Sequence, residues 1–270
     1  MEERLQKILA QSGLGSRRDC EELIIFRRVS VNGITAIIGQ KADPTKDKIT
    51  VDGKPIKMAE QKIYIALHKP RMVLSAVEKE TGDTRKTVRD MIPLIERLYP
   101  VGRLDFDSEG LVLMTNDGDL AQKLTHPSFE HEKEYRVLVA KHPDDEQLKT
   151  WKRGVILEDG YKTLPAEVRV EGLAGKGAWL RIIMREGRKR QIRDIGGRLG
   201  LPVVRIFRVR IGSLLLGDLK AGEWRYLNHQ EVESLKSNTT NPVFHPRGNV
   251  AKKITRPYPS RPGNKKTNKK

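Results

Sequence analysis

Three charged side chains stand directly in front of an apolar run in "VGRLDFDSEGLVLMTNDG", residues 101–118. An ionised carboxylate at the edge of a core is costly unless something pairs with it or uses it. If residues 102–107 are extended, Leu104 and Phe106 point to one side and Arg103, Asp105 and Asp107 share the other, because side chains alternate along a strand. The apolar pair would then anchor the segment and hold the polar trio over a cleft, the preorganisation that a catalytic carboxylate needs. Alternation does not choose between Asp105 and Asp107, and a charged surface turn is the plain alternative.

A second cluster lies in "MREGRKRQIRDIGGRLG" (184–200), which ends one strand and opens a helix carrying Arg188, Lys189, Arg190 and Arg193. The spacing puts Arg190 and Arg193 on one helical face, with Ile192, Ile195 and Leu199 on the buried face. Four cations this close repel one another unless an anion, a phosphate or a carboxylate, sits among them. A third candidate is Tyr135 in "HEKEYRVLV" (131–139), whose ring shares a face with Val137 and Val139, opposite Arg136. It reads either as an ordinary half-buried strand tyrosine or as a ring for base stacking or proton transfer.

The elements that must position these groups are legible in outline. From Ile63 the chain has the texture of strands: "IYIALHKP", "GLVLMT", "KEYRVLVA", "AEVRVEG", "AWLRIIM" and "VVRIFRVRIG". Helical patches intervene at "DGDLAQKLTHP", with Asn116 or Asp117 as its cap, at "PDDEQLKTWKRG" and at "RKRQIRDIGGRLG". Strands that alternate apolar and polar residues predict a mixed or antiparallel sheet with helices on one face and a solvated opposite face. Ahead of it, "EERLQKILAQSGLG" and "SRRDCEELIIFRR" read as two short helices, the second opened by a capping box of Ser16 and Asp19. Cys20, Leu23 and Ile24 form its buried face, so Cys20 is a core filler. "VSVNG" and "KITVDGKPIK" follow as strands closed by Asn-Gly and Asp-Gly turns. The glycines of "EGLAGKGAW" sit in a hairpin loop, without the Lys-Ser/Thr ending of a phosphate loop.

The 270 residues carry 52 Lys and Arg against 35 Asp and Glu, a net charge of +17. Such an excess points to a polyanionic partner. Residues 1–60 hold only +2 of it, whereas residues 237–270 hold nine basic groups and no acidic one. That final segment is too poor in apolar residues to offset its ordering entropy and reads as a disordered basic arm. No run approaches the roughly 18 apolar residues of a membrane span, and "MEERLQKILAQ" is unlike a secretory or transit peptide. These features predict a cytoplasmic protein. One cysteine excludes an internal disulfide, and the six histidines lack metal-ligand spacing, so no metal site is expected.

Residues 2–57, through "RLQKILAQSGLGSRRDCEELI" and "VSVNG", resemble the S4 RNA-binding domain, which implies an RNA clamp in which Arg4, Lys7, Arg17 and Arg18 face the backbone. "VGRLDFDSEGLVLMTNDG", "EKEYRVLV" and "REGRKRQIRDI", in that order behind such a domain, resemble the RsuA/RluB family of ribosomal RNA pseudouridine synthases over residues 2–236. The residue pattern and the resemblance together give an α+β fold: a small S4 domain (1–57), a linker (58–62), a synthase domain with a mixed or antiparallel sheet and packed helices (63–236), and a basic tail (237–270). The resemblance chooses Asp105 as nucleophile and Arg193 as its partner, with Tyr135 against the uracil and moving protons. Arg103 would hold the target uridine out of its stack, and Ile192 would pack on the base. Arg188, Lys189 and Arg190 would contact RNA. The reaction, with large-subunit 23S RNA as the favoured substrate, needs no cofactor and no metal, and a monomer suffices. Ser108, Arg27, Asp194, Gly196 and Gly197 depart from the usual pattern, and the paired glycines predict a weakened helix. A rival of another class is a non-catalytic S4 protein of ribosome assembly, in which Asp105 would be dispensable.

Overall fold

The computed structural model describes residues 1–57 and 61–237; the rest of the expected linker and the basic arm from residue 238 lie outside the described residues. The first unit opens with helix α1 (Leu5–Gln11) and helix α2 (Arg17–Ile25). Ser16 and Asp19 exchange both bonds of the expected capping box. Leu5, Ile8, Leu9, Cys20 and Ile24 join Val29 and Ile49 in one small core. Burial pushes the Cys20 thiol up to about 11, as suits an inert filler. Strands Val29–Val31 and Ile49–Val51 pair antiparallel. Their Asn32-Gly33 and Asp52-Gly53 turns have positive φ at both positions, the geometry of tight hairpins. Arg27, where the resemblance to the S4 domain leads one to expect glycine, is itself left-handed at φ 56°, so the turn forms despite the strain on a residue with a Cβ.

The second unit is built on a mixed sheet. Its strands run in the spatial order Glu167–Ala174, Gly177–Met184, Lys133–Val139, Val203–Ile211, Glu109–Thr115, Tyr64–Lys69 and Trp224–Tyr226. Val203–Ile211 and Glu109–Thr115 pair in parallel, and the other neighbours pair antiparallel. All six expected strands are present. "EGLAGKGAW" is the expected hairpin, with Ala174 opposite Gly177.

One expectation needs correction, because the sheet has no solvated face at its centre. Glu109–Thr115 is buried at every position, as a continuous apolar run rather than an alternating one should be. On one face Val112, Met114, Tyr135 and Val137 pack with helix α4 (Asp145–Arg153) through Trp151 and helix α5 (Gln191–Arg198) through Ile192 and Ile195. On the other, Leu111 and Leu113 pack with helix α3 (Gly118–Thr125) and helix α6 (His229–Lys236). Asp117, not Asn116, caps α3. Helix α6 was not expected from the sequence, although Asn228 and Glu231 form a capping box at its start and Val232 and Leu235 its buried face. Residues 70–100, largely irregular, still deliver Val73, Val88, Ile92 and Leu98 to the first core.

Candidate active site

The segment from Gly102 to Ser108 joins the short Tyr99–Val101 strand to the central Glu109–Thr115 strand. It is not extended to its end. The Ser108 N–H donates to the Asp105 carbonyl at 3.1 Å, closing a turn of the kind that Asp and Ser favour. Leu104 is buried as expected, while Phe106 is only half-buried.

The buried side chain of Lys69 fixes this turn. Its Nζ donates to the carbonyls of Ser108 (2.7 Å), Pro70 (3.1 Å), Asp105 (3.1 Å) and Phe106 (3.4 Å). Burial pulls the ammonium down to about 8, although the charges of Asp107 and Asp105 resist. Ser75 holds the loop from a second side, its hydroxyl bonded to both the N–H and the carbonyl of Leu104. Arg208, also buried, donates to the carbonyls of Leu111 at 2.8 Å and Arg103 at 3.4 Å. Gly110 makes this approach possible, because a Cβ there would lie 2.3 Å from the Arg208 carbonyl oxygen. Sequence reasoning missed Lys69 and Arg208. Their signal was a cation inside an apolar strand, "IALHKP" and "RIFRVRI", a pattern that demands buried acceptors.

Arg193 reaches this loop from α5, but its partner is not the one expected. Its Nη2 lies 2.7 Å from Asp107 Oδ2, and its Nη1 donates to the Val203 carbonyl at 3.2 Å. Asp105 makes no ion pair among the described residues. The correction follows from the turn: with residues 105–108 curled, Asp107 no longer shares a strand face with Asp105, and it is the carboxylate that meets the guanidinium. Arg193 is 12% exposed and Asp107 35%, so the pair is only partly buried.

Tyr135 lies with Val137 and Val139 in the core face of its strand, as expected, and shares one apolar cluster with Leu104 and Ile192. Sequence neighbours of Asp105 and Arg193 thus belong to the same core as the tyrosine. The Tyr135 hydroxyl makes no hydrogen bond among the described residues. Arg103 is exposed, with only its carbonyl engaged.

Helix α5 begins later than expected, so Arg188, Lys189 and Arg190 lie in the preceding loop. Arg188 pairs with Asp159 at 2.8 Å and stacks on the Tyr161 ring at 4.0 Å; Lys189 and Arg190 are exposed. Arg188, Lys189, Arg193 and Arg198 line a cleft of about 610 Å³ together with Glu158, Asp159 and Asp194, whereas Arg190 lies outside its lining. Nor do the two glycines of α5 have the single meaning expected. Gly197 is open, but a Cβ on Gly196 would lie 2.7 Å from the Leu201 carbonyl oxygen, so this glycine seats α5 on the sheet.

In the first unit Arg4, Arg17 and Arg18 are exposed. Lys7 departs from the reading as an open cation: its Nζ sits 2.9 Å from Glu3 and 2.7 Å from Asp119, so it ties α1 to the first turn of α3. Arg97 and Asp19 form a second contact between the units, at 3.5 Å.

Residues 63–195 match the family described as RNA pseudouridylate synthase, and residues 3–40 match the S4 domain. A Bacillus subtilis protein named ribosomal large subunit pseudouridine synthase B is 40% identical over 239 residues, covering 87% of this chain and 96% of its own. An Aquifex aeolicus protein named as an RNA pseudouridine synthase is 42% identical over 237 residues, covering 87% and 94%. A crystal structure of a pseudouridylate synthase superimposes with a TM-score of 0.61 at 28% identity, over 86% of this chain and 99% of the other.

Proposed function

The chain belongs to the RNA pseudouridine synthases with an S4 domain, and from that premise we propose that Asp105 is its nucleophile and a uridine of large-subunit ribosomal RNA its substrate. The observation that carries the reading is the catalytic loop itself: a carboxylate-bearing turn pinned by the buried Lys69, Ser75 and Arg208 against the cluster of Tyr135 and Ile192. Such a turn holds a nucleophile in place before the substrate arrives, which removes reorganisation from the reaction.

The isomerisation breaks the bond between ribose C1′ and N1 of the uracil, turns the base, joins C1′ to C5, releases the C5 proton and takes up a proton at N1. No electrons are gained or lost, so no redox partner takes part. Asp105 attacks the nucleotide and leaves again when the carbon–carbon bond is made. Tyr135 lies against the uracil and handles the proton. Arg193, through Asp107, shapes the electrostatic wall of the cleft, and Ile192 supplies an apolar surface for the base. Arg103, exposed at the loop's lip, occupies the space that the flipped uridine leaves, since extruding a base costs a few kcal/mol that contacts must return. Lys189, Arg190 and the exposed arginines Arg4, Arg17 and Arg18 contact phosphates, and Arg188 joins them once it leaves Asp159.

The large subunit is supported by the names of the relatives from Bacillus subtilis and Pseudomonas aeruginosa. The division of labour follows: residues 1–57 bind RNA, 58–62 link, 63–236 catalyse and 237–270 form a basic arm. The enzyme works as a cytoplasmic monomer without cofactor or metal, and no helix among the described residues is long and apolar enough to cross a membrane. Mapping pseudouridines in ribosomal RNA from cells lacking the gene tests the reading. One large-subunit site should revert to uridine and be restored by the wild-type chain but not by Asp105→Asn; an unchanged map would overturn it.

A further inference from the structure

Helix α5 delivers Arg193 to the catalytic loop, yet its start breaks the usual rules. Its N-cap is Arg190, left-handed at φ 57° and without a side-chain cap. Three cations precede it, where the helix dipole disfavours positive charge. The N–H groups of Gln191 and Arg193 donate to the Arg188 and Arg190 carbonyls at 3.2 and 2.8 Å, and Asp194 is the acidic residue of the first turn; a further tie comes from outside the helix.

That role falls to Glu186, buried in the loop between the Gly177–Met184 strand and α5. Its Oε1 accepts from the side-chain amide of Gln191 and from the Leu164 N–H at 2.8 Å, and its Oε2 accepts from the Tyr161 hydroxyl at 2.7 Å. Gln191, the first residue of α5 and itself buried, uses its other amide atom as well, accepting the Arg188 N–H at 3.0 Å. One carboxylate thus joins three pieces of chain: the Tyr161–Leu164 stretch, the basic loop and the helix. A negative charge beside the first turn also offsets the dipole that the neighbouring cations oppose. Arg188 is held over Tyr161 by Asp159, so its own charge is engaged elsewhere.

We propose that Glu186 is a positioning residue for catalysis: acting through Gln191, it stands in for the missing cap of α5 and so sets where Arg193 meets the catalytic loop. The proposal rests on the reading of Arg193 as part of the active site. Misplacing a catalytic group by an ångström costs up to about a hundredfold in rate.

The test measures pseudouridine formation in a single turnover at saturating RNA, together with RNA affinity, for Glu186→Gln, Gln191→Leu and the exchange Glu186→Gln/Gln191→Glu. The single variants should lose about 10- to 100-fold in the saturating rate, with the RNA dissociation constant within about threefold. The exchange restores an amide–carboxylate bond between the two positions and returns the charge to the first turn, so it should recover at least about tenfold over Glu186→Gln. If Glu186→Gln fails to fold, Gln191→Leu and the exchange variant decide. A rate in Gln191→Leu equal to wild type, a loss that vanishes at saturating RNA, or an exchange no better than the single variants would overturn the proposal. Loss of activity in Arg193→Lys, measured separately, tells whether the underlying reading of Arg193 stands.

Discussion

Replacing Arg193 with methionine keeps the length and apolar stem of the side chain and removes only the guanidinium. The structure sets the size of the effect. Stripping a fully buried carboxylate of its partner costs about 3–5 kcal/mol, whereas an exposed pair contributes about 0.2–1 kcal/mol. Asp107 is 35% exposed and Arg193 12%, so water re-solvates part of the orphaned charge, and the loss should be about 2 kcal/mol once the bond to the Val203 carbonyl is included. For a domain of this size that corresponds to a fall in Tm of about 4–8 °C. The assay is a double-mutant cycle in urea with Asp107→Asn and, separately, with Asp105→Asn. The account expects a coupling of at least about 1 kcal/mol between residues 193 and 107, and under about 0.5 kcal/mol between 193 and 105. Coupling to Asp105 instead would refute the reasoning, because it would mean that the turn at 105–108 does not redirect the two carboxylates as described.

Lys69 gives a pH signature. Its ammonium holds its proton only to about 8 in the folded chain, against about 10.4 when unfolded. The unfolded state therefore binds more protons between these values, and this group adds stability as pH rises through that window. Lys69→Met should flatten that rise in urea melts; equal slopes for the two proteins would contradict it. The wild-type turnover rate should fall above pH of about 8 as the loop loses the charge facing Asp107 and Asp105, and a flat alkaline limb would count against the clamp. The glycines of α5 should separate: Gly197→Ala stabilises by up to about 1 kcal/mol, while Gly196→Ala costs about 1–3 kcal/mol through the clash with Leu201. Thermal melts in which both variants gained stability would show that α5 does not sit as closely as drawn.

Local signals were the legible part of this chain. The capping box of Ser16 and Asp19, the Asn32-Gly33 and Asp52-Gly53 turns and the six main strands all depend on neighbours in sequence, and all are present. What failed depended on a turn or on distant partners. The alternation drawn through Arg103, Asp105 and Asp107 assumed extended backbone, and a single hydrogen bond from Ser108 to Asp105 ends it. The burial of Lys69 and Arg208 is invisible locally, since only the folded loop brings backbone carbonyls to them. Gly196 looked like a plain loss of helix propensity because the carbonyl of Leu201 that it must clear belongs to a later turn of chain. Tyr135 is the instructive intermediate: its strand face was readable, but its sharing one core with Leu104 and Ile192 was not implied by the pattern of any one segment.

The central claim is that the carboxylate of Asp105, and not that of Asp107, attacks the nucleotide. Ribosomal RNA carrying tritium at C5 of uracil reports it directly, because forming the new bond to C1′ expels that hydrogen into water. With equal RNA affinities established first, Asp105→Asn should release no tritium above background, while Asp107→Asn should release it at a reduced but measurable rate. Release from Asp105→Asn at the wild-type rate, or a complete loss confined to Asp107→Asn, would contradict the account.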